Sequence, residues 1–149
     1  MKKPFIIIAA LAIAISGCKV DTSGLPGNAT TSNGALLLGK WYIKSVATVG
    51  TAFGLAISDN ETDFTSQDYY IYNKDQTVNI SEVTAGNGIG VGSYSYSAST
   101  QQLVLTDPTG ASETANVLKL TSDSLVYTFS VSVPALGTQT TVTTHLAHK

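Results

Sequence analysis

The ten residues Ser124–Val133, SLVYTFSVSV, decide how this chain is to be read. Leu125, Tyr127, Phe129, Val131 and Val133 fall on one parity, and Ser124, Thr128, Ser130 and Ser132 on the other. Successive side chains of a β-strand point to opposite faces, so this stretch is a strand with one face in a core and the other in water.

Working outward, the same kind of run repeats at intervals of about ten residues. Before it stand TANVLKLT (114–121), QLVLT (102–106), VGSYSYSA (91–98), TVNISEV (77–83) and YYIY (69–72), and after it TTVTTHLA (140–147). With GKWYIKSV (39–46) there are eight. The links are short and rich in turn formers: NKDQ, AGNGIG, STQ, DPTG and TSD. Links of that kind join neighbouring antiparallel strands, so chain order is also spatial order. An eight-stranded meander can close on itself and remove both exposed edges. The expectation is an all-β fold, an eight-stranded antiparallel up-and-down barrel over residues 36–149.

Two stretches resemble a known family. Gly39-Lys40-Trp41 matches the Gly-x-Trp signature of lipocalins, and Gly92-Ser93-Tyr94, within GSYSYSASTQQLVLTD, looks like the lipocalin-like domains of bacterial lipoproteins. The resemblance implies a barrel that binds or carries a small hydrophobic or amphipathic molecule. It also implies that Trp41 plugs the closed end against a cation from the last strand. The chain contains no arginine, so His145 or Lys149 is expected in that place.

At the N-terminus, Lys2 and Lys3 precede the apolar run FIIIAALAIAI (5–15), followed by Ser16, Gly17 and Cys18. A spanning helix needs about 20 apolar residues, so this run suits a signal-peptide core instead. ISGC resembles the lipobox of bacterial lipoproteins, whose cysteine thiol takes a diacylglyceryl group. Cys18 is the only cysteine, which excludes disulfides within the chain and multi-cysteine metal sites. The alternative, an ordinary signal cut, leaves a spare thiol that is a liability in an oxidising compartment. The organisation expected is a lipoprotein signal peptide (1–17), then lipidated Cys18 with a tether (18–35), then the barrel domain. The tether is too poor in large apolar side chains to offset its ordering entropy. Such a protein is a monomer in the bacterial cell envelope, held to the outer membrane by its lipid anchor, on a side that the sequence leaves open.

Without residues 1–17 the chain keeps six lysines against ten acidic side chains, a balance of −4. It therefore lacks the clustered positive charge that phosphate contacts require, which excludes nucleic acid as a partner. Catalytic patterns are missing too. There is no Gly-x-Ser-x-Gly elbow and no Cys-His pair, and GNGIGVG (86–92) leads into a strand where a phosphate loop would lead into a helix. His145 and His148, three apart, face opposite sides of one strand and cannot jointly ligate a metal unless the strand ends between them. Asp59, Glu61 and Asp63 are spaced as in a calcium loop, but Phe64 stands where the sharp turn needs glycine and no glutamate closes the loop. No catalytic residue, metal or cofactor is expected.

Residues 46–67, VATVGTAFGLAISDNETDFTSQ, do not read as a regular strand. They are either a lid that lays Phe53, Leu55 and Ile57 over the barrel mouth, or an extra strand or helical turn outside it.

Six of the seven tyrosines lie between residues 69 and 127. Matching the pleat across the meander puts Tyr70, Tyr72, Tyr94, Tyr96 and Tyr127 inside with Trp41, Phe129, Leu103 and Leu105. Trp41, the five tyrosines and Phe129 are the candidate ligand contacts. Five inward hydroxyls need partners or water and suit a ligand of mixed polarity. In the alternative reading they fill a small packed barrel, which acts as a non-catalytic structural or protein-interaction module of the envelope.

Overall fold

The computed structural model describes residues 34–107 and 109–148. The signal-like leader, Cys18, most of the tether and Lys149 lie outside the described residues. The described residues begin with one helical turn, α1 (Gly34–Leu37), which includes two residues assigned above to the tether and buries Leu37 completely.

Nine strands follow: β1 (Gly39–Ala52), β2 (Leu55–Glu61), β3 (Tyr69–Tyr72), β4 (Thr77–Glu82), β5 (Gly88–Ser97), β6 (Gln102–Thr106), β7 (Ser112–Leu120), β8 (Ser124–Val133) and β9 (Thr138–Ala147). From β3 to β9 each strand pairs antiparallel with the next, and β1 pairs with both β3 and β9. Eight strands, β1 and β3 to β9, thus close an antiparallel barrel in the order read from the sequence.

Residues 46–67, expected not to be regular strand, are strand as far as Glu61 apart from one tight turn, and of the two alternatives they supply the extra strand and not the lid. The first strand does not stop at Val46 but runs on to Ala52, turns through Phe53-Gly54, and returns as β2 along its own edge. Both turn residues have positive φ, 52° and 77°, the backbone of a tight two-residue hairpin. Such a turn ordinarily carries Asn-Gly or Asp-Gly, and a phenylalanine in that conformation is uncommon, which is why the hairpin was hidden. Phe53 and Leu55 are 74% and 71% exposed at the tip, so they do not lie down as a lid.

A bulge in β1 sets which residues face the core. The register with β9 slips between Ile43 and Ser45, so the inward parity changes from Trp41 and Ile43 to Val46 and Thr48. The Ile43 N–H, freed from the ladder there, donates to the carbonyl of Asp68 at 3.0 Å. The Asp68 carboxylate is itself buried, and it accepts the N–H and hydroxyl of Thr65 and the N–H and hydroxyl of Thr84, at 2.6 to 2.9 Å. Burial pushes this carboxyl up, but the four donated bonds outweigh it and hold it down at about 2. Asp68 thereby ties the end of the β2–β3 connection to the turn after β4, and so fixes β3, the strand carrying two inward tyrosines.

The core lies at one end of the barrel. Leu37, Trp41, Val78, Leu103, Leu125 and Leu146 are fully buried, and Tyr72, Ala115 and Tyr127 nearly so. Toward the opposite end the wall parts. β1 and β3 pair only over Gly39–Tyr42, and β7 and β8 only between Asn116 and Leu120 on one side and Leu125 and Thr128 on the other. Beyond those ladders two lips diverge, β3 to β7 on one side and the extended β2-β1-β9-β8 sheet on the other. Between them is the mouth.

Candidate functional site

The closed end is built on Gly39-Lys40-Trp41. Gly39 has φ 113°, and a Cβ there would lie 3.2 Å from the His148 ring, so glycine lets the last strand's tail cross over the indole. The His148 ring sits 3.8 Å from that of Trp41 with the planes 39° apart. The indole N–H donates to the Leu37 carbonyl at 2.8 Å, which satisfies the one polar atom of a fully buried side chain. His148, not His145, takes the place of the expected cation. β9 ends at Ala147, so His148 is released from strand alternation and can fold under the barrel, whereas His145 stays on the outer face, 3.3 Å from the Ser124 hydroxyl.

Above this plug stands a wall of tyrosines. Tyr70, Tyr72, Tyr94 and Tyr127 are buried, and Tyr96, Phe129 and Leu105 are half-buried against them. All the candidate ligand contacts are therefore inward, with Trp41 at the closed end and Phe129 toward the mouth. Tyr70 stacks on Tyr72 with centroids 6.3 Å apart, and Tyr72 meets Tyr94 edge-on at 5.0 Å. The Tyr94 hydroxyl donates to the Asn73 carbonyl at 2.8 Å. The Tyr127 hydroxyl shares hydrogen bonds with the side chains of Thr144 and Tyr70, and the Tyr70 hydroxyl donates its one proton to the Glu82 carboxylate. The Tyr72 hydroxyl, buried with the others, has no hydrogen-bond partner. Burial drives the phenols of Tyr70, Tyr72 and Tyr127 well above their ordinary value, so these groups are neutral donors and acceptors at any physiological pH.

Two carboxylates complete the inner surface, and the sequence reading missed both. Glu82 shares its parity with Val78 and Ile80, and Glu113 with Ala115 and Val117. Asn87 donates from its amide to Glu82 at 2.7 Å and holds it beside Tyr70. The signal was present as the continuation of each apolar parity into one acidic residue at the strand end. Asp68 was missed for a different reason, since nothing in TSQD announces a residue that bonds another Thr sixteen positions on.

On the outer wall, the Lys40 ammonium lies 3.6 Å from the centre of the Tyr69 ring, on the far side of β1 and β3 from the core. The β1 bulge opens a surface pocket of about 210 Å³ between Tyr42, Lys44, Phe64 and Thr65. A smaller one, of about 120 Å³, lies near Tyr96 and Gln101. Asp59 and Glu61 share a face of β2 and Asp63 follows its end, but no three metal-ligating side chains are gathered anywhere among the described residues. No described helix is long and apolar enough to cross a membrane.

Among solved structures, the bovine lipocalin allergen Bos d 2 is 15% identical, with 77% of this chain aligned to 74% of that one and a TM-score of 0.44. A deswapped triple mutant of bovine odorant-binding protein is 10% identical, over 76% and 74% of the two chains, also with a TM-score of 0.44. No curated protein sequence matches the chain. The family model of the lipocalin-like domain does match, over residues 37–127, from the buried Leu37 through the Trp41 plug to the inward Tyr127, and the chain belongs to that family.

Proposed function

We propose that this protein is a lipid-anchored lipocalin-like binding protein of the bacterial cell envelope, which holds or carries a small hydrophobic or amphipathic molecule in the mouth of its barrel and catalyses nothing. The observation that carries the reading is the gradient along the interior. The closed end is packed around Trp41, whereas Leu105 and Phe129 toward the other end are only half-buried, and Phe129 lies beyond the last β7–β8 pair. Half-covered apolar surface facing inward is what a ligand would cover, at about 25 cal/mol for each Å² removed from water. The anchor is Cys18, by its lipobox-like setting, and the outer membrane is the proposed location.

A neutral fluorescent probe, N-phenyl-1-naphthylamine, should bind the protein and quench or shift Trp41 emission. Phe129→Ala or Tyr94→Ala should change its affinity by about 1 kcal/mol or more, while Ser130→Ala on the outer face should not. Absence of probe binding by the folded protein refutes the carrier reading. The dense closed end favours a second reading in that event, a packed barrel that serves as a structural or interaction module. Anchoring is tested separately: Cys18→Ser should abolish acylation and shift the protein out of the detergent phase, and unchanged partitioning refutes it.

A further inference from the structure

We propose that the extended lip of the barrel docks on a lipid bilayer: a tip formed by Phe53, Leu55 and Leu136 enters the surface of a membrane whose headgroups carry no net charge. The proposal rests on the lipid-anchor reading for what keeps the bilayer near, and on the tip alone for what touches it.

The tip is made of two turns that meet. β1 turns into β2 at Phe53-Gly54, and β8 is joined to β9 by the 3-10 turn Pro134–Leu136, which Gly137 closes. β1 and β9 pair as far as Thr51 opposite Gln139, which brings the turns level, and a Cβ added at Gly137 would lie 3.6 Å from the Gly54 backbone nitrogen. Phe53, Leu55 and Leu136, all exposed, therefore stand together at the end of the β2-β1-β9-β8 sheet opposite Trp41.

Phe53 is the residue that the fold does not explain. It holds φ 52°, which is costly for a bulky side chain, and at 74% exposure the ring packs against little that could offset the cost. The backbone alone would favour asparagine, the ordinary partner of glycine in such a turn. A strained position that keeps an aromatic ring in water implies that something other than this chain covers the ring.

Charge identifies what covers it. Residues 45–58 and 124–144, which build the lip, contain no charged side chain. The first charge is Asp59, opposite Thr48 and four residues below Leu55, about 13 Å from the tip. Apolar faces at a membrane surface sink about 5 to 10 Å, so the tip can enter with no charge following it. The facing lip ends instead in Glu82, Asp107 and Glu113, which hold it in water. With acids behind the tip and no lysine on it, nothing in the lip attracts anionic headgroups.

A second copy of the chain fits less well. The exposed parts of the three side chains come to roughly 350 Å², under half of the 800 Å² or so that each partner of a standard protein interface buries. The anchor can also share the bilayer that the tip enters. The fifteen residues 19–33 reach at most about 50 Å, and the 14 residues of β1 cover about 45 Å from the closed end to the tip.

The test uses the full-length protein in phosphatidylcholine vesicles, with a nitroxide on one introduced cysteine, since acylation occupies the Cys18 thiol. In electron paramagnetic resonance a label at Ala135→Cys should be at least about fivefold less accessible to a water-soluble nickel chelate than one at Ser122→Cys, in the turn at the closed end. Phe53→Asn combined with Leu55→Thr should bring the two labels to within about twofold of each other, and both changes suit their backbone, so the variant folds. Equal accessibility of the two labels in the parent, or shielding unchanged in the variant, overturns the proposal. Shielding that appears only when phosphatidylglycerol is added overturns the neutral surface, and spin–spin coupling between Ala135→Cys labels assigns the tip to a second copy instead. Mass spectrometry of the same preparation reads acylation. Should it show no acyl chain, the anchor reading fails alone: Cys18→Ser is added, the labelled protein is mixed with the vesicles, and shielding at Ala135→Cys still supports docking while its absence overturns it.

Discussion

The plug at the closed end makes a quantitative claim about Trp41. An indole of about 200 Å² fully removed from water is worth about 5 kcal/mol at 25 cal/mol per Å², an upper figure because the unfolded chain already covers part of it. Trp41→Ala also loses the bond to the Leu37 carbonyl, about 1 kcal/mol, and the ring contact with His148, about 0.5 to 1.5 kcal/mol. Partial collapse of the cavity offsets some of the total, and a destabilisation of about 4 to 5 kcal/mol is expected in urea melts. Tyr42 is half-buried on the outer face, so Tyr42→Ala should cost about 1 to 2 kcal/mol. His148→Ala should cost about 1 kcal/mol, and a double-mutant cycle between Trp41 and His148 should return a coupling of similar size. Equal losses for Trp41→Ala and Tyr42→Ala, or a coupling of zero, would refute the plug.

Two further perturbations separate the polar groups of the interior. Asp68→Asn leaves at least one backbone N–H of Thr65 or Thr84 facing an amide donor and should cost about 2 to 4 kcal/mol near neutral pH. Because the folded-state carboxyl lies at about 2, below its ordinary 3.8, its contribution is complete above about pH 4 and is lost as pH falls through about 2. The gap between parent and variant should narrow over that window, and a constant gap contradicts the assignment. Tyr72→Phe removes an unpartnered buried hydroxyl and should be neutral or stabilising by about 1 kcal/mol, whereas Tyr94→Phe loses its bond to Asn73 and should cost about 1 kcal/mol. Thermal melts of the pair check this, and the opposite ranking would show that Tyr72 is partnered in solution.

The barrel was legible because its signal is local and repeated. Each of the runs from YYIY to TTVTTHLA carries its own alternation and its own turn, and the closing pairs of β1 with β9 follow from the need to remove edges. Gly39-Lys40-Trp41 was legible by its resemblance to the Gly-x-Trp signature of lipocalins, which implied that Trp41 plugs the closed end. The hairpin through Phe53-Gly54 was not, because its turn uses a residue that sterics disfavour there. The partner of Trp41 was expected to be His145 or Lys149 and is His148, which becomes available because the strand ends at Ala147, one residue before it. Glu82 and Glu113 escaped because an acidic residue at a strand end is ordinarily a solvated boundary. Only the curvature of the closed sheet, which no single strand encodes, sets Glu82 against Tyr70 and crowds Glu113 at the wall.

That curvature also separates stability from binding within one small barrel. The residues that hold the fold, Trp41, Leu125 and Leu146 with the α1 turn, are gathered where β1, β3, β7, β8 and β9 are all paired. Glu113 and Phe129 lie beyond the last β7–β8 pair, where that seam has opened. A change at the mouth therefore removes few core contacts, and a change at the plug leaves the glutamates untouched. Mouth substitutions such as Glu113→Gln should leave stability nearly unchanged, within about 0.5 kcal/mol, because the side chain is exposed and away from the packed end. Plug substitutions should weaken the fold and reduce probe binding only in proportion to the folded fraction. A stability loss of several kcal/mol for Glu113→Gln in urea melts would show instead that the lips are part of the core, and with that the division between a packed base and a receptive mouth would fail.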